Sequence, residues 1–223
     1  MTTVTSTPPS PSPVAKFENA AEWWHALGDV PLERVVMDPP PGTATEQDLL
    51  VFVERDKRLV ELIDGTLVEK PVGYEESFIA LLLATALNNF VRPRTLGFVA
   101  GADATLHMRS GRVRLPDVSF VSIDDVPGRQ RPKEPIPLVP PTIAAEVISQ
   151  TNTSMEMRQK TKEYFESGSK LVWLIYPKTR TIAVFDRPAE ETARLLTEND
   201  VLDGGDALPG FTLRVAELFP DVR

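Results

Sequence analysis

Short apolar runs separated by turn signals predict a chain rich in β-strands. Residues 59–63 and 66–69 flank an Asp-Gly pair, which is typical of a tight β-hairpin. Residues 171–176 read LVWLIY, and such a continuous apolar run favours a strand that is covered on both faces of a sheet. Further strands are predicted at residues 98–100, 104–108, 112–115, 117–121, 142–148, 181–186 and close to the C-terminal end.

Helical patterns alternate with these strands. Residues 74–91 are apolar on nearly all sides, which predicts a helix that is buried on most of its faces and closed by Pro93. Thr153 or Ser154 begins a second long helix, which ends at Gly168. Shorter helices are predicted over residues 17–27 and from Thr43 or Thr45 to about residue 56. This mixture indicates a single α/β or α+β domain, over residues 17–223, built on a central sheet.

The composition is that of a globular protein, and it narrows the possible chemistry. Of the 223 residues, 42% are hydrophobic and 25% are charged, and no apolar run is long enough to span a bilayer. Residues 1–16 are rich in Thr, Ser and Pro, which predicts a disordered tail without a secretory signal and hence a cytoplasmic protein. Because cysteine is absent, disulfides, thiolate metal sites and a cysteine nucleophile are excluded.

The net charge of −8 argues at first against a nucleic-acid partner. The charge is unevenly distributed, however. Residues 92–187 contain 15 basic and 10 acidic side chains, a net charge of +5, and the acidic excess lies on either side of them. The middle of the chain therefore remains available to an anionic partner.

Two carboxylates in this basic segment stand out. Asp117 opens a predicted strand after Pro116, and Glu146 interrupts the apolar strand TIAAEVI. A buried carboxylate requires a partner, and two carboxylates on adjacent strands are suited to Mg²⁺ or Mn²⁺. The alternative is structural, with Asp117 capping a turn and Glu146 paired with an arginine.

The helix after Glu146 contains a third candidate. Lys160 shares a helix face with Met157 and Tyr164, which suggests that this face turns inward and that Lys160 points at the carboxylates. Alternatively, Lys160 and Glu156 form an exposed ion pair of little energetic weight.

Four segments resemble the Uma2 family, a bacterial family of restriction-endonuclease-like proteins in the PD-(D/E)XK nuclease superfamily. The segments are VELIDGTLVEKP, RLPDVSFV, AAEVISQTNTSMEMRQKTKEYFESGSKLVWLIYP and DGGDALPGFTLRVAELF, and the resemblance extends over residues 43–219. It implies a restriction-endonuclease-like fold, in which helices flank a central mixed sheet. The matching functional positions are Asp117, Glu146, Lys160 and Glu61.

The resemblance also implies Mg²⁺- or Mn²⁺-dependent hydrolysis of DNA by an endonuclease. Asp117, Glu146 and the backbone carbonyl of Val147 would hold the metal, and Lys160 would orient the attacking water or stabilise the pentacoordinate phosphate. Glu61 would bind a second metal or position Lys160, unless it is simply structural. The chain departs from the superfamily at Ile148, where a lysine is usual. The alternative function is therefore an inactive nuclease fold that acts as a nucleic-acid-binding or protein-binding regulatory module.

Basic residues near these carboxylates are candidates for contact with the phosphate backbone. The candidates are Arg112, Arg114, Arg129, Arg131 and Lys133. The last three lie in a proline-rich loop, residues 127–141, which is alternatively a solvated loop without function. A homodimer is expected, because enzymes of this superfamily often cut duplexes as pairs.

Overall fold

A computed structural model describes residues 17–186 and 193–220, so the predicted tail lies outside the described residues. Within these residues there are four α-helices: α1 (Ala20–Ala26), α2 (Glu46–Val51), α3 (Tyr74–Arg94) and α4 (Ser154–Ser167). The first six strands are β1 (Val60–Ile63), β2 (Thr66–Glu69), β3 (Gly97–Gly101), β4 (Leu106–His107), β5 (Val113–Arg114) and β6 (Val118–Ser122). The remaining six are β7 (Ile143–Val147), β8 (Leu171–Tyr176), β9 (Thr181–Phe185), β10 (Arg194–Leu196), β11 (Val201–Asp203) and β12 (Thr212–Arg214).

The main sheet is mixed and has the strand order β10-β9-β8-β7-β6-β3. Strands β7 and β8 run parallel and are joined through α4, whereas the other neighbours are antiparallel. The apolar run predicted to be a strand covered on both faces is β8, near the centre of this sheet.

Helices cover both faces of the main sheet. On one face α3 packs Leu83 and Leu87 into a cluster with Phe120 and Trp173. On the other face α4 packs its apolar side chains, Tyr164 among them, against β7, β8 and β9. The predicted α/β class, a central mixed sheet flanked by helices, is thus confirmed.

A smaller sheet, β2-β1-β5-β4, lies beside the main one. The Asp-Gly turn joins β1 to β2 as predicted, with Asp64 and Gly65 both at positive φ. The small sheet has its own apolar cluster, which includes Val60, Leu67 and Val113 and is separate from the clusters of the main sheet. The two sheets therefore have distinct cores.

Two predictions about α3 are wrong. The helix continues through Pro93 to Arg94, because a proline in the last turn removes only one backbone hydrogen bond. The helix is also not buried on most of its faces, since Tyr74 is 90% exposed and Leu81 is also exposed. The main sheet covers only one side of this helix.

The start of α4 is fixed by local chemistry. The side chain of Thr153 accepts a hydrogen bond from the backbone N–H of Glu156, and Gly168 ends the helix in the left-handed conformation. Both ends agree with the sequence-based prediction. This register decides which side chains of α4 face β7.

Candidate active site

The register of β6 and β7 brings the two predicted carboxylates together. Val118 pairs with Ala145, so Asp117, one residue earlier, lies opposite Glu146. Opposed residues of an antiparallel pair point to the same face of the sheet. Asp117 Oδ2 also accepts a hydrogen bond of 2.7 Å from the backbone N–H of Val147. The alternative, in which Asp117 merely caps a turn, does not describe this arrangement.

Glu146 is buried against α4, and two side chains of that helix contact the same carboxylate oxygen. The Tyr164 hydroxyl donates a hydrogen bond of 2.6 Å to Glu146 Oε1, and Lys160 Nζ lies 3.3 Å from it. Burial raises the pKa of Glu146, the charge of Asp117 raises it further, and Lys160 opposes both effects. The partners of Glu146 are thus a lysine and a tyrosine, and the arginine of the structural alternative is not among its contacts in the described residues.

Lys160 is enclosed between two carboxylates. Its side chain is 2% exposed, and Nζ lies 2.9 Å from Glu61 Oε1 as well as close to Glu146. Burial alone would lower the pKa of Lys160, but Glu146 and Glu61 outweigh it and raise the pKa. The alternative of an exposed pair with Glu156 is wrong, because Glu156 is buried and forms a two-point ion pair with Arg34.

Glu61 links Lys160 to the small sheet. Its other oxygen lies 2.8 Å from the Arg114 guanidinium, and the backbone N–H of Leu115 donates to Oε1 over 3.1 Å. Burial would raise the pKa of Glu61, but the charges of Lys160 and Arg114 prevail and lower it to about 2. Glu61 is therefore an ionised carboxylate that holds two cations in place.

Two of the four arginines predicted to contact nucleic acid, Arg112 and Arg114, are part of the same group of ion pairs. Arg114 is 1% exposed and binds Glu163 through Nε at 2.7 Å in addition to Glu61. Arg112 pairs with Glu163 and with Asp64 of the hairpin turn. In this arrangement Arg114 is not accessible to a nucleic acid, and Arg112 is mostly covered.

Lys70, which directly follows β2, is a residue of the site that sequence reasoning missed. Its Nζ lies 2.8 Å from Asp117 Oδ1 and donates to the Leu115 carbonyl at 2.5 Å. The side chain is 4% exposed although lysines at strand ends are usually solvated. The only signal in the sequence was its place at the end of the hairpin motif VELIDGTLVEKP.

Asp117 and Lys70 form part of the wall of a cavity of about 290 Å³. The cavity lies between the end of β2, the start of α3 and the end of β3, and its wall includes Glu76, Ser77 and Gly101. Asp117 is 14% exposed, whereas the side chains of Glu61, Lys70, Glu146 and Lys160 are at most 4% exposed. The cavity therefore gives solvent access to Asp117.

The three basic residues of the proline-rich loop lie elsewhere. Arg129 is exposed and pairs with Asp124. Arg131 and Lys133 line a separate cavity of about 530 Å³ formed mostly by the loop itself. The structure does not bring these three side chains into contact with Asp117 or Glu146.

Among the described residues, no three Asp, Glu or His side chains are arranged to hold a metal ion by themselves. The predicted donor set consists of two carboxylates and the carbonyl of Val147, so a metal there would also need water or substrate ligands. No helix in the described ranges has the length and apolarity needed to cross a membrane.

Comparison with solved structures finds a likeness at the level of the fold. The chain is similar to the crystal structure of a putative nuclease belonging to DUF820 from Anabaena variabilis ATCC 29413, with 20% sequence identity and a TM-score of 0.64. The similarity covers 73% of this chain and 90% of that one. No curated protein matches the chain.

Residues 46–216 match the Uma2 family, whose description is putative restriction endonuclease. The matched range spans most of the chain and contains Glu61, Lys70, Asp117, Glu146 and Lys160. The chain is therefore a member of the Uma2 family of putative restriction endonucleases.

Proposed function

We propose that this protein is a metal-dependent endonuclease that hydrolyses DNA phosphodiester bonds at the site formed by Asp117 and Glu146. The observation that carries the proposal is the placement of Asp117, directly before β6, opposite Glu146 on β7, with a lysine in contact with each carboxylate. Membership of a nuclease family supports the reaction class.

The donor set fits a divalent metal such as Mg²⁺ or Mn²⁺. Mg²⁺ binds proteins through one or two carboxylates and keeps several waters, so two carboxylates and the Val147 carbonyl suffice. Glu146 Oε2 makes no hydrogen bond within the described residues and is not fully enclosed. Asp117 borders the open cavity. When bound, the metal supplies a more acidic water and neutralises charge on the phosphate.

The side chains around the carboxylates hold them for this purpose. Tyr164 and Lys160 fix one oxygen of Glu146, and the Val147 N–H fixes one oxygen of Asp117. Lys160 also opposes the effect of burial on Glu146 and so favours the ionised carboxylate that a metal requires. We therefore assign Lys160 and Glu61 as positioning residues.

In the proposed hydrolysis, the oxygen of water forms a bond to phosphorus. The bond between phosphorus and the leaving sugar oxygen breaks, and that oxygen keeps the electron pair. The water loses a proton to solvent and the sugar oxygen gains one, so the products are a phosphomonoester and an alcohol.

Cleavage of supercoiled plasmid in MgCl₂ or MnCl₂ tests the proposal. We expect the wild type to nick or linearise the plasmid. Asp117→Asn and Glu146→Gln should cleave it at least about 100-fold more slowly, because loss of a group that stabilises the transition state has an effect of this size. The matched controls are Asp124→Asn and Glu166→Gln, which change exposed carboxylates and should retain the rate.

Equal activity in the wild type and in both site variants would contradict the assignment of the site. DNA binding without cleavage by the wild type would favour the alternative, an inactive nuclease fold that acts as a binding module. We also propose a homodimer, which sedimentation would report as a species of about 49 kDa, twice the chain mass.

A further inference from the structure

The two lysines of the site differ in what they face. Lys160 lies on the side of α4 that packs against the main sheet, and its ammonium is enclosed between Glu146 and Glu61. Lys70 approaches from the small sheet and contacts Asp117 Oδ1, the oxygen that Val147 leaves unoccupied. The two ammonium groups therefore hold the carboxylates from different sides.

Only Lys70 borders the open cavity. Its wall includes Lys70 and Asp117 but neither Lys160 nor Glu146. A phosphodiester that reaches Asp117 from solvent would come close to Lys70, because the Lys70 Nζ lies 2.8 Å from Asp117 Oδ1. Lys160, whose side chain is 2% exposed and does not line the cavity, would remain covered. The cavity, at about 290 Å³, is large enough for a phosphate group together with several waters.

The charges of the cavity wall explain why this contact would need a metal. Asp117 and Glu76 contribute two negative charges to the wall against the single positive charge of Lys70. A bare phosphate is therefore repelled. A divalent cation on Asp117 would reverse the balance and free the Lys70 ammonium from neutralising that carboxylate.

We propose that Lys70 is the catalytic lysine that contacts the substrate phosphate in this protein, while Lys160 acts only through Glu146. The inference rests on the proposed nuclease function. Ile148 occupies the position where the superfamily usually has a lysine. In this protein Lys70, directly after β2, would bring the positive charge to the site instead. An ammonium at this position stabilises the charge that develops on the phosphate oxygens.

The first test compares Lys70→Gln and Lys70→Arg with Lys162→Gln, an exposed lysine of α4. Binding of a fluorescein-labelled DNA duplex in CaCl₂ is measured across a salt series, and plasmid cleavage is measured in MgCl₂. We expect Lys70→Gln to cut at least about 100-fold more slowly and to lower the slope of log K against log salt by about 0.9, the loss of one phosphate contact. Lys70→Arg should restore the slope, and Lys162→Gln should match the wild type.

The second test uses the wild type alone, so it does not depend on whether variants of Lys70 or Lys160 fold. In the ¹⁵N-labelled wild type, NMR of the lysine ammonium groups is recorded before and after adding the duplex in CaCl₂. The Lys70 signal should shift and the Lys160 signal should stay.

Three results would overturn the assignment. An unmoved Lys70 signal in the DNA complex would do so, as would a folded Lys70→Gln variant with the wild-type slope and a cleavage rate within threefold. Both of these leave the nuclease function intact, whereas a wild type that neither binds nor cuts DNA removes that function and this inference together.

Discussion

Replacing Glu61 with glutamine removes one charge from the centre of the buried network. The neutral side chain keeps the shape but can no longer hold two cations, Lys160 at 2.9 Å and Arg114 at 2.8 Å. Each cation retains one carboxylate, Glu146 for Lys160 and Glu163 for Arg114. We therefore expect the variant to fold but to be less stable than the wild type.

The pKa of Glu61 gives the size of the effect. A carboxyl whose pKa falls from 4.5 in the unfolded chain to about 2 in the folded one contributes about 3 kcal/mol of stability at neutral pH. Breaking a buried ion pair costs about 3–5 kcal/mol, which agrees. For a chain of this length the melting temperature should fall by about 6–12 °C.

The sign of the pH dependence follows from the direction of the shift. Because the folded-state pKa is lowered, the contribution of Glu61 is complete above pH 4.5 and is lost as the pH falls towards 2. The difference in unfolding free energy between wild type and variant should shrink by about 1 kcal/mol between pH 7 and pH 3.5.

Urea unfolding followed by tryptophan fluorescence, at pH 7, 4.5 and 3.5, measures both quantities. Glu166→Gln is the matched control, since Glu166 is exposed and lies 3.7 Å from Lys162. Its effect should stay within about 0.5 kcal/mol. A Glu61→Gln effect below about 1 kcal/mol at pH 7, or one that does not change with pH, would refute the view that Glu61 is a stabilising carboxylate.

Two further predictions concern the packing around α4. Tyr164→Phe deletes the hydroxyl that donates to Glu146 at 2.6 Å and should cost about 2 kcal/mol in urea unfolding; no loss would mean that this hydrogen bond contributes nothing. Gly28→Ala places a Cβ 2.6 Å from the backbone of Glu156 at a φ of +91° and should cost at least about 2 kcal/mol, more than Gly42→Ala, where φ is +84° and nothing lies within 4 Å. Equal losses in the two glycine variants would show that the contact with Glu156 is unimportant.

Features that depend on neighbouring residues were predictable from the sequence. The Asp-Gly hairpin, the Thr153 cap and the glycine end of α4 are all local, and each is confirmed. The placement of Asp117 opposite Glu146 was also within reach, because a carboxylate inside an apolar strand already signals an unusual environment.

Features that depend on how the two sheets meet were not predictable. The charges of Arg112 and Arg114, which the sequence suggested were available to an anion, are neutralised by buried carboxylates. A count of charged residues does not show which side chains form ion pairs with each other. Lys70 was missed for the same reason. Its position next to Asp117 is set by the docking of the small sheet, which no local pattern encodes.

The junction of the two sheets determines when the site exists at all. The small sheet brings Glu61, Arg114 and Lys70, and the main sheet with α4 brings Asp117 and Lys160, while the apolar clusters of the two sheets remain separate. Neither half has the full set of groups, and neither can bury its own charges without the other. A nascent or partly unfolded chain therefore has no assembled site, and the site forms only when the two sheets have packed against each other.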